Sequence, residues 1–419
     1  MQLLNRLYIR FYLIIMLLYA FFNKGIAYSY LAEILLITGV ILIFLNRKLF
    51  EIYLNKKQII IIILISLMFI YILFGLIKYN AFNVIRDSLA FQYVWFTIIL
   101  FYFKDERKFI WDSLIQIYKW IPLVLFLNFI LFYYLFLNLP PIEIFGGQHI
   151  LLYKNGDKSL HLLVSSILMI LFTEKYTRNW LIFNSILIFI NLLILLAFTR
   201  SGSVAYLAGV FCFFFFSKTS LITDGLRKVL KYIPLLLIIV FGVFAAIEIE
   251  GDAQGRTISL SQITDNFSSI VSSDIDGSLT DNKVWRLVWW AKLLNESFTL
   301  EHFLIGKGLG MSLAGNDLTS VDENLRSPHN FHLTIIARFG YIIFFIWFYW
   351  LWLLFKPLFT KRLSGRTLGL TSILLAYIIN GSFDVFFEGP MGAFPFWTLV
   401  GLLLIEEYYS AYKPNEIPN

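Results

Sequence analysis

The chain has 419 residues, 59% of them hydrophobic and only 15% charged, with a mean hydropathy of +0.76. Soluble domains carry about 25% charged residues, so this composition excludes a string of soluble domains and points to one polytopic membrane bundle. The net charge of +7 does not mark nucleic acid as a partner, because the basic residues are spread between apolar segments and form no patch.

The N-terminus carries Arg6 and Arg10 and then an apolar stretch to Phe22. Phe21-Phe22-Asn23-Lys24 follows where a removable signal peptide would need small residues, so this stretch reads as a first membrane helix. A helix needs about 20 mostly apolar residues to cross a bilayer. By that measure about 12 segments qualify or nearly qualify, at roughly 7–22, 28–45, 58–77, 88–103, 118–138, 159–173, 180–198, 202–217, 230–248, 333–355, 366–383 and 391–409. The expected fold is therefore all-α, a transmembrane helix bundle. Residues 1–249 form its first nine spans, 250–332 a long loop on the outer face, and 333–419 the last three spans and a cytoplasmic C-terminus. The single cysteine, Cys212, cannot form an internal disulfide and is silent on compartment.

Lysine and arginine accumulate on the cytoplasmic side of membrane proteins. With the N-terminus inside, 21 of the 34 basic residues fall in inner connectors and six in the short outer ones. Both termini are then expected in the cytoplasm, with the long loop and Arg200 together on the outer face. Within that loop, Gly251 to Asp281 is rich in Ser, Asp, Gly and Thr and reads as flexible. Val284 to Leu294 reads as an interfacial helix carrying Trp285, Trp289 and Trp290.

Three places in this outer layer carry groups suited to chemistry. Arg200 ends an apolar run in Thr199-Arg200-Ser201-Gly202-Ser203. A guanidinium presents a planar fork of donors to phosphate oxygens, and Ser201 and Ser203 would add hydroxyls at a helix start. The bland alternative is a snorkelling arginine at a helix end. Arg286 lies in Val284-Trp285-Arg286-Leu287-Val288-Trp289-Trp290, where it would serve a substrate or a lipid phosphate. His329 lies in Arg326-Ser327-Pro328-His329-Asn330-Phe331-His332. Its imidazole can take or give a proton near neutrality, and Pro328 suits the first turn of a helix that would present His329 and Asn330 near its start. His332 follows at i+3 and would share that face, but no third metal ligand is evident, so no metal site is expected.

Gly306-Lys307-Gly308-Leu309-Gly310 lacks the spacing of a nucleotide-binding loop and reads as a flexible bend. Glu33, Asp87, Asp384 and Glu388 also sit near outer helix ends, where pairing with Arg86 or Arg200 competes with a catalytic role.

Taken in order, Thr199-Arg200-Ser201-Gly202, Arg286-Leu287-Val288-Trp289, Gly306-x-Gly308-x-Gly310, Pro328-His329-Asn330-Phe331-His332-Leu333 and Phe339-Gly340-Tyr341 resemble segments of the O-antigen polymerase and O-antigen ligase-like membrane proteins. The resemblance covers roughly Leu187 to Leu354; the first six spans match in hydropathy alone. It implies transfer of a saccharide from undecaprenyl pyrophosphate to an acceptor hydroxyl, with no cofactor. Arg200 and Arg286 would hold the pyrophosphate and His329 would orient or deprotonate the acceptor, with Ser201, Asn330 and His332 beside the substrate. The partners it implies are the lipid-linked oligosaccharide, membrane lipid and a chain-length regulator protein, in a bacterial inner membrane. Ligases often read His-x-His-Asn-Glu at the loop exit. Ser327-Pro328-His329-Asn330-Phe331 lacks the first His and the acid, which favours a polymerase of lipid-linked repeat units. A ligase to the lipid A core is the alternative. A flippase or transporter is a third reading, but its ionisable groups would lie at the bilayer midplane; Asn128, Asn191 and Asn380 stand there instead.

Overall fold

The computed structural model describes residues 2–21, 30–45, 55–131, 143–144, 148–149, 155–217, 249–250, 257–258, 278–314, 327–360 and 363–412. The described chain is helical apart from two antiparallel pairs of two-residue strands, Glu143–Ile144 with Gln148–His149 and Ile249–Glu250 with Thr257–Ile258. The helices in chain order are α1 (Gln2–Phe21), α2 (Leu31–Leu45), α3 (Lys56–Lys78), α4 (Ala81–Gln92), α5 (Trp95–Tyr102), α6 (Arg107–Tyr118), α7 (Ile121–Leu131), α8 (Asn155–Leu171), α9 (Arg178–Phe198) and α10 (Arg200–Phe216). They continue with α11 (Ser278–Ser297), α12 (Leu300–Ile305), α13 (Phe331–Thr360), α14 (Gly365–Gly381) and α15 (Pro390–Tyr412). The expected span at 230–248 and most of the loop from Gly251 lie outside the described residues.

Among the described residues, four stretches are long and apolar enough to cross a membrane: Lys56–Lys78, Lys104–Leu131, Arg178–Phe198 and Phe331–Thr360. The pair α4 and α5, bent by 44°, makes a fifth if counted as one span. Apolar runs of this length fold as helices because each backbone N–H and C=O finds its partner within the segment. Asn55 starts α3 through a capping box: its side chain accepts from Gln58 N at 2.9 Å and Gln58 Oε1 accepts from Asn55 N at 3.0 Å.

Helix α15 is the buried axis. It packs on α5, α14 and α1, and its residues from Phe394 to Ile405 are almost wholly enclosed. Polar groups gather near its two ends. At one end Arg107 grips Glu406 through Nε at 2.6 Å and Nη2 at 2.7 Å, and Trp111 Nε1 donates to the same carboxylate at 2.7 Å. Arg6 meets Glu106 at 2.8 Å and Lys57 pairs with Glu407 at this end as well. At the other end, about 25 Å away at 1.5 Å per residue, stand Asp384, Glu388 and the segments around them.

Helix α13 departs from the single span expected at 333–355. Gly340 has φ 78° and ψ 179°, which no helix contains. Trp347 Nε1 donates to His332 Nδ1 at 3.2 Å, and the rings of Phe331 and Trp347 lie 5.6 Å apart. Fifteen residues of straight helix would separate such positions by about 22 Å. The chain therefore turns back sharply at Gly340. Residues 331–339 form a short first arm folded against a second arm, 341–360, which is about 30 Å long.

Candidate functional site

The break at Gly340 is what builds the site. In an unbroken helix the carbonyls of Ala337 and Arg338 would accept from amides four residues on. Here they accept from the loop instead: Lys307 N donates to Ala337 O at 2.7 Å and Gly308 N to Arg338 O at 2.8 Å. The glycine-rich bend is thus pinned. Gly306, Gly308 and Gly310 all take positive φ, at 67°, 80° and 101°, a region open to glycine because it has no Cβ. A Cβ on Gly306 would lie 2.3 Å from the carbonyl carbon of Arg338.

A buried ion pair anchors the bend from below. Arg338 Nη1 lies 3.0 Å from Asp87 Oδ2, and Gly310 N donates to the same oxygen at 3.0 Å. Arg338 also donates to the carbonyls of Met311 at 3.1 Å and Gly308 at 3.3 Å. Asp87, expected to pair with Arg86 or Arg200, finds Arg338 as its close cation, with Arg86 at 3.9 Å. Glu33 accepts from Tyr93 Oη.

Above this anchor α11 brings two of the expected site residues together. The ring of Trp285 meets that of His329 edge to face at 5.8 Å, and the Arg286 guanidinium stands 5.6 Å from the same indole. Trp289 is buried and its Nε1 donates to Leu313 O at 3.0 Å. Trp290 Nε1 donates to Pro328 O at 2.6 Å, which fixes the peptide before His329. Arg286 Nη1 donates to Phe383 O at 3.0 Å, while its buried Nε has no hydrogen-bond partner. Burial pulls the Arg286 pKa below its ordinary value, and the Asp384 carboxylate pushes it the other way.

His329 is not in the first helical turn, contrary to expectation. Asn330 is the cap: its Oδ1 accepts from Leu333 N at 3.1 Å, and α13 begins at Phe331. His329 sits just outside with φ 54°, a left-handed conformation uncommon for a residue with a side chain. His332 turns to Trp347 while His329 turns to Trp285, so the two imidazoles have separate neighbours. Among the described residues, no three His, Cys, Asp or Glu side chains converge as a metal ion requires.

Arg200 opens α10, which packs on α14, α8 and α9, with Gly209 of α10 against Ser372 and Ala376 of α14. Ser201 follows Arg200, half-buried. Ser203 directs its hydroxyl to the carbonyls of Thr199 and Leu195, not outward.

Sequence reasoning missed how the carboxyl of Glu388 is used. Ser327, two residues before His329, hydrogen-bonds Glu388 Oε1, and Thr334 Oγ1 donates to the same oxygen at 3.3 Å. Burial pushes the Glu388 carboxyl up to about 7, against the lowering pull of Ser327, Arg338 and Thr334; Asp87 adds to the rise. The available signal was the lone Arg338 inside an apolar run, since an ionisable group at membrane depth marks a site by default. The site therefore offers a guanidinium with an unused donor, an imidazole held in a strained turn, and a carboxyl that titrates near neutrality.

No protein-family model matches the chain, and no curated protein is similar to it.

Proposed function

We propose that the chain is a membrane glycan transferase that joins oligosaccharide repeat units carried on undecaprenyl pyrophosphate into a surface polysaccharide. The observation that carries this reading is the Trp285–Arg286–His329 cluster, in which a helix of the long loop meets the loop's exit. A pyrophosphate leaving group needs positive charge more than a protonating acid, and an arginine with an unengaged Nε supplies it. The imidazole and the Glu388 carboxyl are the groups suited to receive the acceptor's proton. In this reading the protein sits in a bacterial inner membrane with about 12 spans. Both termini are cytoplasmic and residues 250–332 face outward. Arg200 binds the donor from α10, and Ser201, Asn330 and His332 border the substrate.

Deleting the gene and examining surface glycan tests the reaction. Single capped repeat units are the result expected of a lost polymerase. Lipid-linked polymer left off the core means a ligase, and repeat units trapped on the inner face mean a flippase. In purified protein with lipid-linked repeat units, Arg286→Ala should abolish extension. Arg286→Lys should also be poor, because an ammonium lacks the planar fork; wild-type extension by Arg286→Ala would remove this arginine from the mechanism. For orientation, cysteines placed at Ser273 and Lys413 in a Cys212-free protein should label from outside at the first and not the second.

A further inference from the structure

The end of the bundle opposite the site holds a cavity of about 510 Å³, framed by the starts of α3 and α14 and the ends of α13 and α15. That volume lies within the range of about 300–1,000 Å³ usual for small-molecule sites. Helix starts carry partial positive charge and helix ends partial negative charge. Two of each meet here, so the backbone dipoles offset one another and side chains decide the sign. Lys56, Lys57 and Lys356 line the cavity against one acid among its described residues, Glu407, and that acid is already engaged by Lys57. Among the described residues two ammonium groups, Lys56 on α3 and Lys356 on α13, are left in excess. Thr360, Ser364 and Tyr412 add hydroxyls to the lining, while Phe101, Leu353 and Leu404 supply an apolar wall. A small soluble anion would use the ammonium groups and hydroxyls but leave that wall bare. A molecule with an anionic phosphate head and attached acyl chains would use both.

We propose that this cavity binds the phosphate headgroup of an anionic glycerophospholipid, held between Lys56 and Lys356 with its acyl chains against the Phe101–Leu353–Leu404 wall. Basic pockets between membrane helices recognise such headgroups, each lysine near the surface contributing about a factor of five. The site is independent of the transfer chemistry proposed above, because it stands at the far end of α15.

The test uses purified full-length protein in uncharged detergent and fluorescent phosphatidylglycerol, read by anisotropy. Binding should saturate, and unlabelled phosphatidylglycerol should displace the probe whereas phosphatidylcholine should not. The double variant Lys56→Ala/Lys356→Ala should bind about 30-fold more weakly. Lys56→Arg/Lys356→Arg, which keeps both charges, should stay within about threefold of wild type. Lys108→Ala/Lys175→Ala removes the same charge from exposed positions at this end but outside the cavity, and should bind as wild type does. Equal loss in both alanine pairs would reduce the effect to diffuse attraction and overturn the site. Displacement by phosphatidylcholine would overturn the headgroup assignment. Displacement by millimolar inorganic phosphate would make free phosphate the ligand and overturn the lipid.

Discussion

Arg338 and Asp87, 251 residues apart in the chain, meet at 3.0 Å with side chains only 3% and 5% exposed. The pair ties the first arm of α13 to α4, and through Gly310 N and Met311 O it ties both to the glycine bend. Removing one member leaves the other charge buried, which costs about 3–5 kcal/mol. Arg338→Ala should therefore lower the thermal midpoint sharply in detergent. The double replacement Arg338→Met/Asp87→Leu should be milder, because neither charge is then stranded. If Arg338→Ala melts with the wild type, the pair does not hold these segments together.

The bend offers its own control. Gly306 and Gly308 both have positive φ, but a Cβ on Gly306 would strike the Arg338 backbone at 2.3 Å, while one on Gly308 meets nothing within 4 Å. Gly308→Ala should cost about 1–2 kcal/mol, the conformational term alone. Gly306→Ala should cost more and detach the bend, exposing the Lys307 and Gly308 amides. Hydrogen exchange at these two amides measures it; protection unchanged in Gly306→Ala would count against the docking.

What the sequence disclosed follows from which interactions are local. The span expected at 58–77 appears as Lys56–Lys78 because one uninterrupted apolar run and its Asn55–Gln58 cap are readable in place. A helix is also expected from Val284 to Leu294, and one is present over Ser278–Ser297. The reversal at Gly340 was not legible. Phe339-Gly340-Tyr341 sits inside an apolar run with no change in hydropathy, and amides some thirty residues upstream satisfy the broken turn. The Arg338–Asp87 pair was not legible either, because pairing between helices depends on which helix ends meet, and hydrophobic periodicity says nothing of that. The lysine and arginine bias puts Arg286 and His329 in one outer loop as an expectation; their shared indole, Trp285, emerges only in three dimensions.

Glu388 gives the protein a pH-dependent stability of definite sign. Its folded pKa is raised to about 7 by burial, against about 4.3 in an unfolded chain. The folded state keeps a proton that the unfolded chain releases, so this contribution is complete below about pH 4 and declines as pH rises to about 7. The thermal midpoint of the wild type should fall across that window, and Glu388→Gln, which cannot titrate, should show a flatter profile. Parallel profiles for the two proteins would mean that Glu388 is ionised in the fold.

His329 joins two properties that substitution can separate, an imidazole facing Trp285 and a backbone held at φ 54°. Alanine removes the ring and also strains the turn; asparagine and glycine remove the ring but tolerate the left-handed region. If the imidazole takes the proton of the acceptor hydroxyl, all three variants should lose transfer by a factor of roughly 10²–10⁴, the range for one acid–base group. Wild-type activity should also fall on acidification as the ring becomes charged. If the residue serves only to shape the turn that Trp290 and Ser327 hold, His329→Asn and His329→Gly should remain near wild-type turnover while His329→Ala falls. His332→Ala should cost much less in either case, since its ring is engaged by Trp347. Single-turnover rates with lipid-linked repeat units distinguish the outcomes. Near-normal turnover in the asparagine and glycine variants would transfer the proton-accepting role to Glu388, whose carboxyl burial pushes up to about 7.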